Sequence, residues 1–360
     1  MTRESESGAE PESEADEDAS EYEPIGDDPK FDLDVEPPRF WGTPREKPLC
    51  VVALGGNAIK PPDAEGTFAE QMEAVERTAA QVVELMKAGY KVVLTHGNGP
   101  QVGSLLLQQE QGEPPAQPLE ACGAMSQGWI GYMLCQQMYR QLEQRWKHVP
   151  VATILTQTVI DPDDPALENP TKPVGPFVDA AKADEMREAG MTVREVRDTG
   201  DTDYRRVVPS PEPKGIVEET PVKRLIDQRD LVICGGGGGV PVARHRGEID
   251  GYDAVVDKDR LTQVIGHVLD ADILVILTDA DGAYVDFGTP DERRIDEASA
   301  AEMREHLDDG QFPEGSMGPK VAAACEFVEG DSERERRAVI ASLDNAVDAL
   351  ESGDGTTVVE

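Results

Sequence analysis

The sequence predicts an α/β fold: a three-layer αβα sandwich in which helices cover both faces of a central, mainly parallel sheet, with a small protruding subdomain. Two observations predict the layers. Short apolar runs recur along the chain, and segments with helical spacing separate them. Strands of a covered parallel sheet are near-continuous apolar runs, because both of their faces are buried. Strands that alternate with helices form mainly parallel sheets.

The first predicted strand, 49–54, ends in the loop "GGNA" at 55–58. This loop lacks the spacing of a P-loop and does not match the dinucleotide fingerprint. A helix follows, because Thr67 and Glu70 form a capping-box pair and apolar residues keep helical spacing from Phe68 to Met86. Gly89 is expected to end that helix.

The segment "KVVLTHGNGPQVGSLLLQQ", residues 91–109, repeats the design with a strand, a glycine-rich loop and a helix that has Pro100 in its first turn. A long helical pattern covers 119–146, and "VATILTQTVI" at 151–160 predicts the next strand. Later strands are predicted at "LVICG", "ILVILTD" and "AVIAS". Ligands of such sheets bind at the carboxyl ends of the strands.

Residues 161–214 break this alternation. They are rich in prolines and turns, and "VREVRDTGDTDYRRVVPSP" alternates in the manner of a small hairpin. We interpret the segment as an inserted subdomain or lid within a domain that spans 48–360.

Acidic residues dominate the chain, since 72 Asp and Glu against 34 Lys and Arg give a net charge of −38. Repulsion then excludes nucleic acid and anionic membranes as partners. The charge is spread along the sequence, and the 12 lysines are fewer than the 22 arginines. We interpret this as a surface adapted to high salt, where charge is screened. The alternative, an acidic interaction surface, fits a concentrated patch better.

The first 45 residues predict an acidic, disordered tail, because residues 1–36 carry 15 Asp or Glu and only two basic residues. The sequence has no apolar run of 18 residues and no basic-then-apolar signal at its start, so we expect a cytoplasmic protein. Five cysteines without a C-x-x-C pair predict buried free thiols. Five histidines without ligand spacing predict no metal held directly by the protein.

Three glycine-bearing loops follow predicted strands: "GGNA" at 55–58, "HGNGPQVG" at 96–103 and "GGGGG" at 235–239. Glycines allow backbone N–H groups to approach anionic oxygens. Each loop alone is also compatible with a plain turn or a hinge. Together, at one sheet edge, they predict a phosphate or carboxylate site.

Lysines beside turns are the second signal. Lys172 lies in "NPTKPVGPF", Lys258 in "VVDKDRL" and Lys320 in "GSMGPKVAA". The last two fall at predicted helix starts, where a cation is unfavourable unless an anion is also present. A solvated lysine is the alternative for each one singly, but the helix-start positions favour phosphate binding.

Nine motifs occur in this order between residues 49 and 359: "VVALGGNAI", "HGNGPQVG", "MSQGWIGY", "NPTKPVGPF", "VVPSP", "CGGGGGVPV", "DKD", "LVILTDADGAY" and "GSMGPK". Together they resemble the carbamate kinases of the amino acid kinase family. The resemblance implies a homodimer that transfers a phosphoryl group reversibly between ATP and carbamate, giving ADP and carbamoyl phosphate. It also implies ATP synthesis in arginine catabolism, with Mg²⁺ carried by the nucleotide.

The resemblance further implies a role for each matching residue. The catalytic residues would be Lys172, Lys258, Asp259 and Lys320, with Asp259 orienting the lysines. The carbamate or the γ-phosphate would contact Gly55, Gly56, Asn57, Gly97, Asn98, Gly99, Gln101, Gly236, Gly237 and Gly238. The nucleotide would be bordered by Asp279, Tyr284, Met317 and Lys320.

Two other functions stay open at this point. One is another amino acid kinase, acting on acetylglutamate or UMP, and the other is a non-catalytic nucleotide-binding sensor. The sequence offers no convincing Ser/His/Asp set, which agrees with phosphoryl transfer to an acceptor that is already an anion. His96 would either touch the substrate or make a structural hydrogen bond at the strand end.

Overall fold

The structure, a computed structural model, describes residues 48–360 except positions 113, 146–148, 198–199, 201, 229–230, 246, 314 and 333. The predicted acidic tail, 1–45, lies outside the described residues. Within the described part of the chain, no helix has the length and apolar character needed to cross a membrane.

The strands, in chain order, are β1 (Leu49–Leu54), β2 (Lys91–His96), β3 (Val151–Thr153), β4 (Gln157–Ile160), β5 (Lys172–Val178), β6 (Val193–Glu195), β7 (Tyr204–Val208), β8 (Pro213–Ile216), β9 (Leu231–Ile233), β10 (Val240–His245), β11 (Glu248–Gly251), β12 (Ile273–Thr278), β13 (Ala283–Val285), β14 (Arg293–Ile295), β15 (Glu297–Ser299), β16 (Arg337–Ser342) and β17 (Thr356–Val359). The helices are α1 (Phe68–Ala88), α2 (Gly99–Gln111), α3 (Leu119–Arg145), α4 (Ala180–Glu188), α5 (Glu219–Asp227), α6 (Lys258–Val268), α7 (Ala300–Asp308), α8 (Met317–Glu329) and α9 (Ala346–Ser352).

The largest sheet has, among the described residues, eight strands in the order β15–β17–β16–β12–β1–β2–β9–β3. Its adjacent strands are parallel except for the antiparallel pair of β16 and β17. A smaller sheet has the order β11–β10–β4–β8, and β13 pairs with β14. The carboxyl ends of β12, β1, β2 and β9 are therefore neighbours along one edge of the main sheet.

The core lies on both faces of this sheet. Along β1, Val51 and Ala53 belong to one hydrophobic cluster, which includes residues of α6 and α8. Cys50, Val52 and Leu54 belong to the other, which includes residues of α1 and α3. Side chains alternate across a strand, so each face of β1 is buried by helices. The predicted three-layer α/β fold is confirmed.

Helix α1 begins and ends as the sequence predicts. Thr67 and Glu70 form both hydrogen bonds of a capping box, and Gly89 ends the helix with φ of 106°. Phe68 differs from the expected apolar stripe, because its side chain is 49% exposed. It lies in the first turn and stacks on Tyr132 of α3, with 6.5 Å between the ring centroids.

The prediction of one strand over 151–160 is wrong, because the chain forms β3 in the main sheet and β4 in the smaller one. Thr156 lies between them. Its hydroxyl donates to the carbonyl of Ile154 (3.0 Å) and accepts from the N–H of Gly235 (2.8 Å). The side-chain amide of Gln127 bonds the backbone N–H and C=O of Thr156 at 2.8 and 3.1 Å. These bonds hold the chain where it leaves the main sheet and enters the smaller one.

Residues 161–214, which we call the insert, contain an antiparallel sheet with the order β5–β7–β6 and the helix α4. The alternating sequence pattern corresponds to the antiparallel pair β6 and β7. Ala183, Met186 and Val193 form a small apolar cluster within the insert. The division into a domain at 48–360 and an insert with these bounds stays a prediction.

Candidate active site

Loops that follow neighbouring strands meet at the carboxyl edge of the main sheet. The N–H of Gly55 donates to Leu277 of β12 (3.1 Å), and the N–H of Gly97 donates to Leu54 of β1 (3.0 Å). A Cβ placed on Gly97 would lie 3.4 Å from the nitrogen of Gly56 and 3.6 Å from Cε of Lys258. The loops after β1 and β2 are thus in contact with each other and with the stem of Lys258.

The glycine run after β9 packs against the same region. Gly237, with φ of 65°, lies against the side chain of Asn98. A Cβ on Gly238, whose φ is 88°, would lie 2.0 Å from the carbonyl oxygen of Val256. Only glycine allows this backbone conformation and this approach without strain. The loop after β9 therefore touches both the loop after β2 and the segment that leads into α6.

A buried cluster of charges lies at the start of α6. Asp259 accepts from Nζ of Lys258 through Oδ1 (2.5 Å) and from Nζ of Lys320 through Oδ2 (2.9 Å). The three side chains are only 5%, 13% and 15% exposed. Lys320 comes from α8, so the cluster joins two helices that pack side by side on one face of the sheet.

The charges of this cluster are set by burial and by each other. Burial acts to raise the pKa of Asp259, but Lys258 and Lys320 outweigh it and lower that pKa to about 2. Burial lowers the pKa of Lys258, an effect that Asp259 opposes and Lys320 reinforces. Asp259 is therefore an anion at neutral pH. Two lysines against one carboxylate leave the cluster with a positive charge, which attracts an anionic ligand.

Lys172 joins the insert to the same helix. It is the first residue of β5, and its Nζ lies 2.5 Å from Oδ2 of Asp257. The other oxygen of Asp257 accepts from the backbone N–H groups of Asp259 (2.9 Å) and Arg260 (3.3 Å), which makes Asp257 the N-cap of α6. Burial acts to raise the pKa of Asp257, yet Lys172 holds it below its ordinary value. All three predicted lysines thus lie around one helix start.

A cleft of about 410 Å³ opens beside the cluster. It is lined by Gly55, Gly56, Asn57, Lys258, Thr278, Asp279, Ala280, Gly282, Tyr284, Phe287, Gln311, Phe312, Pro313, Gly315, Ser316, Met317 and Lys320. The structure therefore brings the predicted residues Asp279, Tyr284 and Met317 together with Lys320. The side chain of Asn57 donates to Asp279, which links the ends of β1 and β12.

Sequence reasoning missed the aromatic lining of this cleft. Phe287 is 68% exposed and meets Tyr284 edge to face, with ring centroids 6.1 Å apart. Phe312 lines the cleft just before α8. Both lie in loops, where no periodicity marks a binding role. Their one signal in the sequence is an isolated aromatic residue between turn residues.

The predicted substrate residues after β2 have different surroundings. The side-chain N–H₂ of Asn98 donates to Oγ of Ser126 (2.8 Å), whose hydroxyl donates to the carbonyl of Gly123 (2.6 Å). This chain of bonds fixes the orientation of the Asn98 amide. Gln101 is buried and donates to Oε1 of Gln71 on α1 (2.8 Å), so the structure does not bring it to the cleft.

The remaining predicted residues, Gly97, Gly99, Gly236, Gly237, Gly238 and Lys172, are not part of the cleft lining. Of these, Gly97 and the glycine run lie on the β2 and β9 side of Lys258. His96 makes the structural hydrogen bond that was one of its two expected roles, with Nδ1 2.9 Å from the carbonyl oxygen of Gly97.

An α/β sandwich whose glycine loops and buried lysines meet at its strand ends belongs to the α/β class of proteins that bind ligands at this edge of the sheet. The sequence comparison identifies the family. The sequence model of the amino acid kinase family matches residues 48–342. The chain belongs to the amino acid kinase family. Its relatives place it among the carbamate kinases of that family.

The carbamate kinase of Pyrococcus furiosus is 48% identical over 314 residues, which cover 86% of this chain and 98% of that protein. That of Thermococcus kodakarensis is 50% identical over 315 residues, with coverage of 86% and 98%. A solved structure of carbamate kinase from Giardia lamblia bound to AMP-PNP is 43% identical. It covers 87% of this chain and 99% of its own, with a TM-score of 0.81. The predicted family and the predicted kinase class are confirmed.

Proposed function

We propose that this chain transfers a phosphoryl group reversibly between ATP and carbamate, giving ADP and carbamoyl phosphate. The buried cluster of Lys258, Asp259 and Lys320 at the meeting point of the strand-end loops is the observation that carries the proposal. The family relationship supports carbamate over acetylglutamate or UMP as the acceptor.

The chemistry needs positive charge rather than a base. Carbamate is already an anion, so no proton has to be removed before it attacks. The main barrier is the approach of one anion to another, and it falls when both are held in line and the charge on the transferring group is neutralised. Ammonium groups and backbone N–H groups in a partly dry site supply that neutralisation.

We propose that the site has two sides, one for the nucleotide and one for the acceptor. The cleft with its aromatic lining lies at the ends of β12 and β1, and we assign the nucleotide to it. The loops after β2 and β9 lie on the other side of Lys258, and we assign the acceptor to them. The transferring phosphoryl group would then lie beside Lys258 and Lys320, with Asp259 holding both ammonium groups in place.

Lys172 adds a third cation from the insert. In the structure its ammonium group bonds Asp257, and its side chain is 37% exposed. Asp257 is only 13% exposed, so the lysine is the more accessible member of the pair. We assign Lys172 to the transferring phosphoryl group. Its ammonium group would leave Asp257 and bind the phosphoryl oxygens instead.

Mg²⁺ carried by the nucleotide would neutralise further phosphate charge. Both oxygens of Asp259 already accept from lysines. The described residues contain no group of three or more His, Cys, Asp or Glu arranged for a metal ion. We propose that the phosphate oxygens of the nucleotide hold the ion.

The test is ATP formation from carbamoyl phosphate and ADP with Mg²⁺. We expect rapid turnover by the natural chain and a loss of about 100-fold or more in Lys258→Ala. A matched control is Lys223→Ala, whose ammonium group pairs with Glu219 on exposed α5. Formation of ADP from ATP should need carbamate and should not occur with acetylglutamate or UMP. Nucleotide binding without turnover would favour the sensor instead.

We also propose salt adaptation and, by resemblance, a direction toward ATP synthesis in arginine catabolism. The net charge of −38 supports the first point, because self-repulsion within the folded chain falls when salt screens it. Activity and the unfolding midpoint should rise from low to molar KCl. Full stability at low ionic strength would contradict salt adaptation.

The homodimer is a further proposal, supported by a stripe on α3. Met125, Tyr132 and Tyr139 are 40%, 56% and 43% exposed, and their spacing of seven residues puts them on one helix face. Exposed stripes of Tyr and Met are typical of protein interfaces. Sedimentation should show a dimer for the natural chain and a monomer for Tyr132→Glu. A variant that stays dimeric would remove this face from the interface.

A further inference from the structure

His96, the last residue of β2, is 1% exposed, and its ring is held in one tautomer. Its Nδ1 lies 2.9 Å from the carbonyl oxygen of Gly97. A carbonyl oxygen can only accept, so Nδ1 must carry the hydrogen and donate it. In the neutral ring Nε2 then has a free lone pair and acts as an acceptor.

This acceptor faces the loop after β9. A Cβ on Gly236 would come almost equally close to Nε2 and to Cε1, so the ring edge that carries Nε2 packs against the glycine run. In the described part of the chain, no residue forms a hydrogen bond with Nε2. The adjacent side chain of Gln127 is engaged at both ends of its amide by the backbone of Thr156. Burial, with Lys258 nearby, lowers the pKa of His96 to about 4, so the ring is neutral at pH 7.

A hydrogen-bond acceptor such as Nε2 is unfavourable in a site that binds anions. The oxygens of carbamate and of phosphate accept hydrogen bonds, and the glycine loops and the lysines provide the donors. The lone pair of Nε2 repels such oxygens. It suits an N–H group, and carbamate is an anion that carries one. His96 and Gly236 also lie on the β2 and β9 side of Lys258, the side that we assign to the acceptor.

We infer that His96 is a specificity-determining residue whose Nε2 accepts a hydrogen bond from the amino group of carbamate or carbamoyl phosphate. The inference rests on the proposed function, since it names a contact of that substrate in that site. Its consequence is discrimination against acyl groups of similar size and charge that lack an N–H. A site built around a hydrogen bond rejects an analogue that cannot form it.

Carbamoyl phosphate and acetyl phosphate are suitable probes, because an amino group in one replaces a methyl group in the other. ATP formation from ADP gives kcat/KM for each. His96→Asn retains a donor at the position of Nδ1 and has no atom at the position of Nε2. We expect the preference for carbamoyl phosphate to fall by about 10-fold in this variant, the value of one hydrogen bond. His96→Gln, whose amide oxygen can reach the position of Nε2, should recover part of the preference.

The proposed function and the role of His96 fail under different results. If the natural chain forms no ATP from carbamoyl phosphate, the proposed function fails. If the natural chain is active and His96→Asn keeps the same preference, only the role of His96 fails.

A second measurement needs no variant. In protein labelled with ¹⁵N-histidine, without ADP, the Nε2 resonance of His96 should be that of an unprotonated nitrogen. It should shift upfield with carbamoyl phosphate and not with acetyl phosphate. A protonated Nε2, or an equal response to both compounds, would overturn the inference.

Discussion

Replacing Asp259 with Asn removes the carboxylate at the centre of the buried cluster. The change keeps the size and shape of the side chain and removes its negative charge. Lys258 and Lys320 then lose their common carboxylate partner, although the side chains of both are at least 85% buried. We expect the free energy of unfolding and the turnover both to fall.

Two effects set the size of the loss of stability. The pKa of Asp259 falls from 3.8 to about 2 in the folded chain. At about 1.36 kcal/mol for each tenfold change in the protonation equilibrium, this depression of the pKa corresponds to about 2 kcal/mol. Removing one member of a buried ion pair typically costs about 3–5 kcal/mol, because the remaining charge is left unpaired. We therefore expect a loss of about 2–5 kcal/mol.

Urea unfolding between pH 5 and 7 measures this loss. A matched control is Asp184→Asn, because Asp184 pairs with Arg187 at 2.8 Å but is 73% exposed. That change should cost about 1 kcal/mol or less. Turnover should fall by about 100-fold or more in Asp259→Asn, since its two lysines are no longer held in place, and should stay unchanged in the control.

The contribution of Asp259 to the free energy of unfolding depends on pH. Because the folded-state pKa of Asp259 is depressed, its contribution to stability is fully present above the unfolded pKa of 3.8 and is lost as the pH falls toward about 2. The stability difference between the natural chain and Asp259→Asn should be constant from pH 5 to 7 and shrink below pH 4. Equal stability of the two proteins at pH 7 would refute the electrostatic account.

Three further predictions concern other parts of the site and the chain. Lys320→Ala should reduce turnover by about 100-fold or more while moving the urea midpoint less than Asp259→Asn does; a natural rate would remove its assignment. Gly238→Ala should destabilise by about 1–3 kcal/mol, since its φ is positive and the opposing atom is a backbone oxygen. Gly99→Ala, with no atom within 4 Å of the new Cβ, serves as its control in urea unfolding. Deleting residues 1–36 should leave kcat and KM unchanged, and lost activity would show that the tail takes part in catalysis.

The elements that depend on local pattern could be predicted from the sequence. The apolar run of β1 is buried on both faces, and the capping box of Thr67 and Glu70 starts α1. The prediction of one strand over 151–160 is wrong, because the bend at Thr156 depends on Gln127 and Gly235, which are distant in the chain. A local apolar pattern carries no information about such partners.

The site could be predicted only in part, because its residue types are visible in the sequence but their contacts are not. Glycine loops and lysines beside turns are visible as residues, and parallel topology places strand ends together. That Asp259 holds two lysines at once follows only from the packing of α6 against α8. The edge-to-face contact of Tyr284 with Phe287 and the tautomer of His96 are likewise properties of three-dimensional arrangement.

The two carboxylate oxygens of Asp257 accept hydrogen bonds from different partners. Oδ1 caps α6, whereas Oδ2 holds Lys172 of the insert. The insert can consequently release its lysine without fraying the helix that carries Lys258 and Asp259. Amide hydrogen exchange at Asp259 and Arg260 should be equally slow in the natural chain and in Lys172→Met, and faster exchange in the variant would show that release and fraying are coupled.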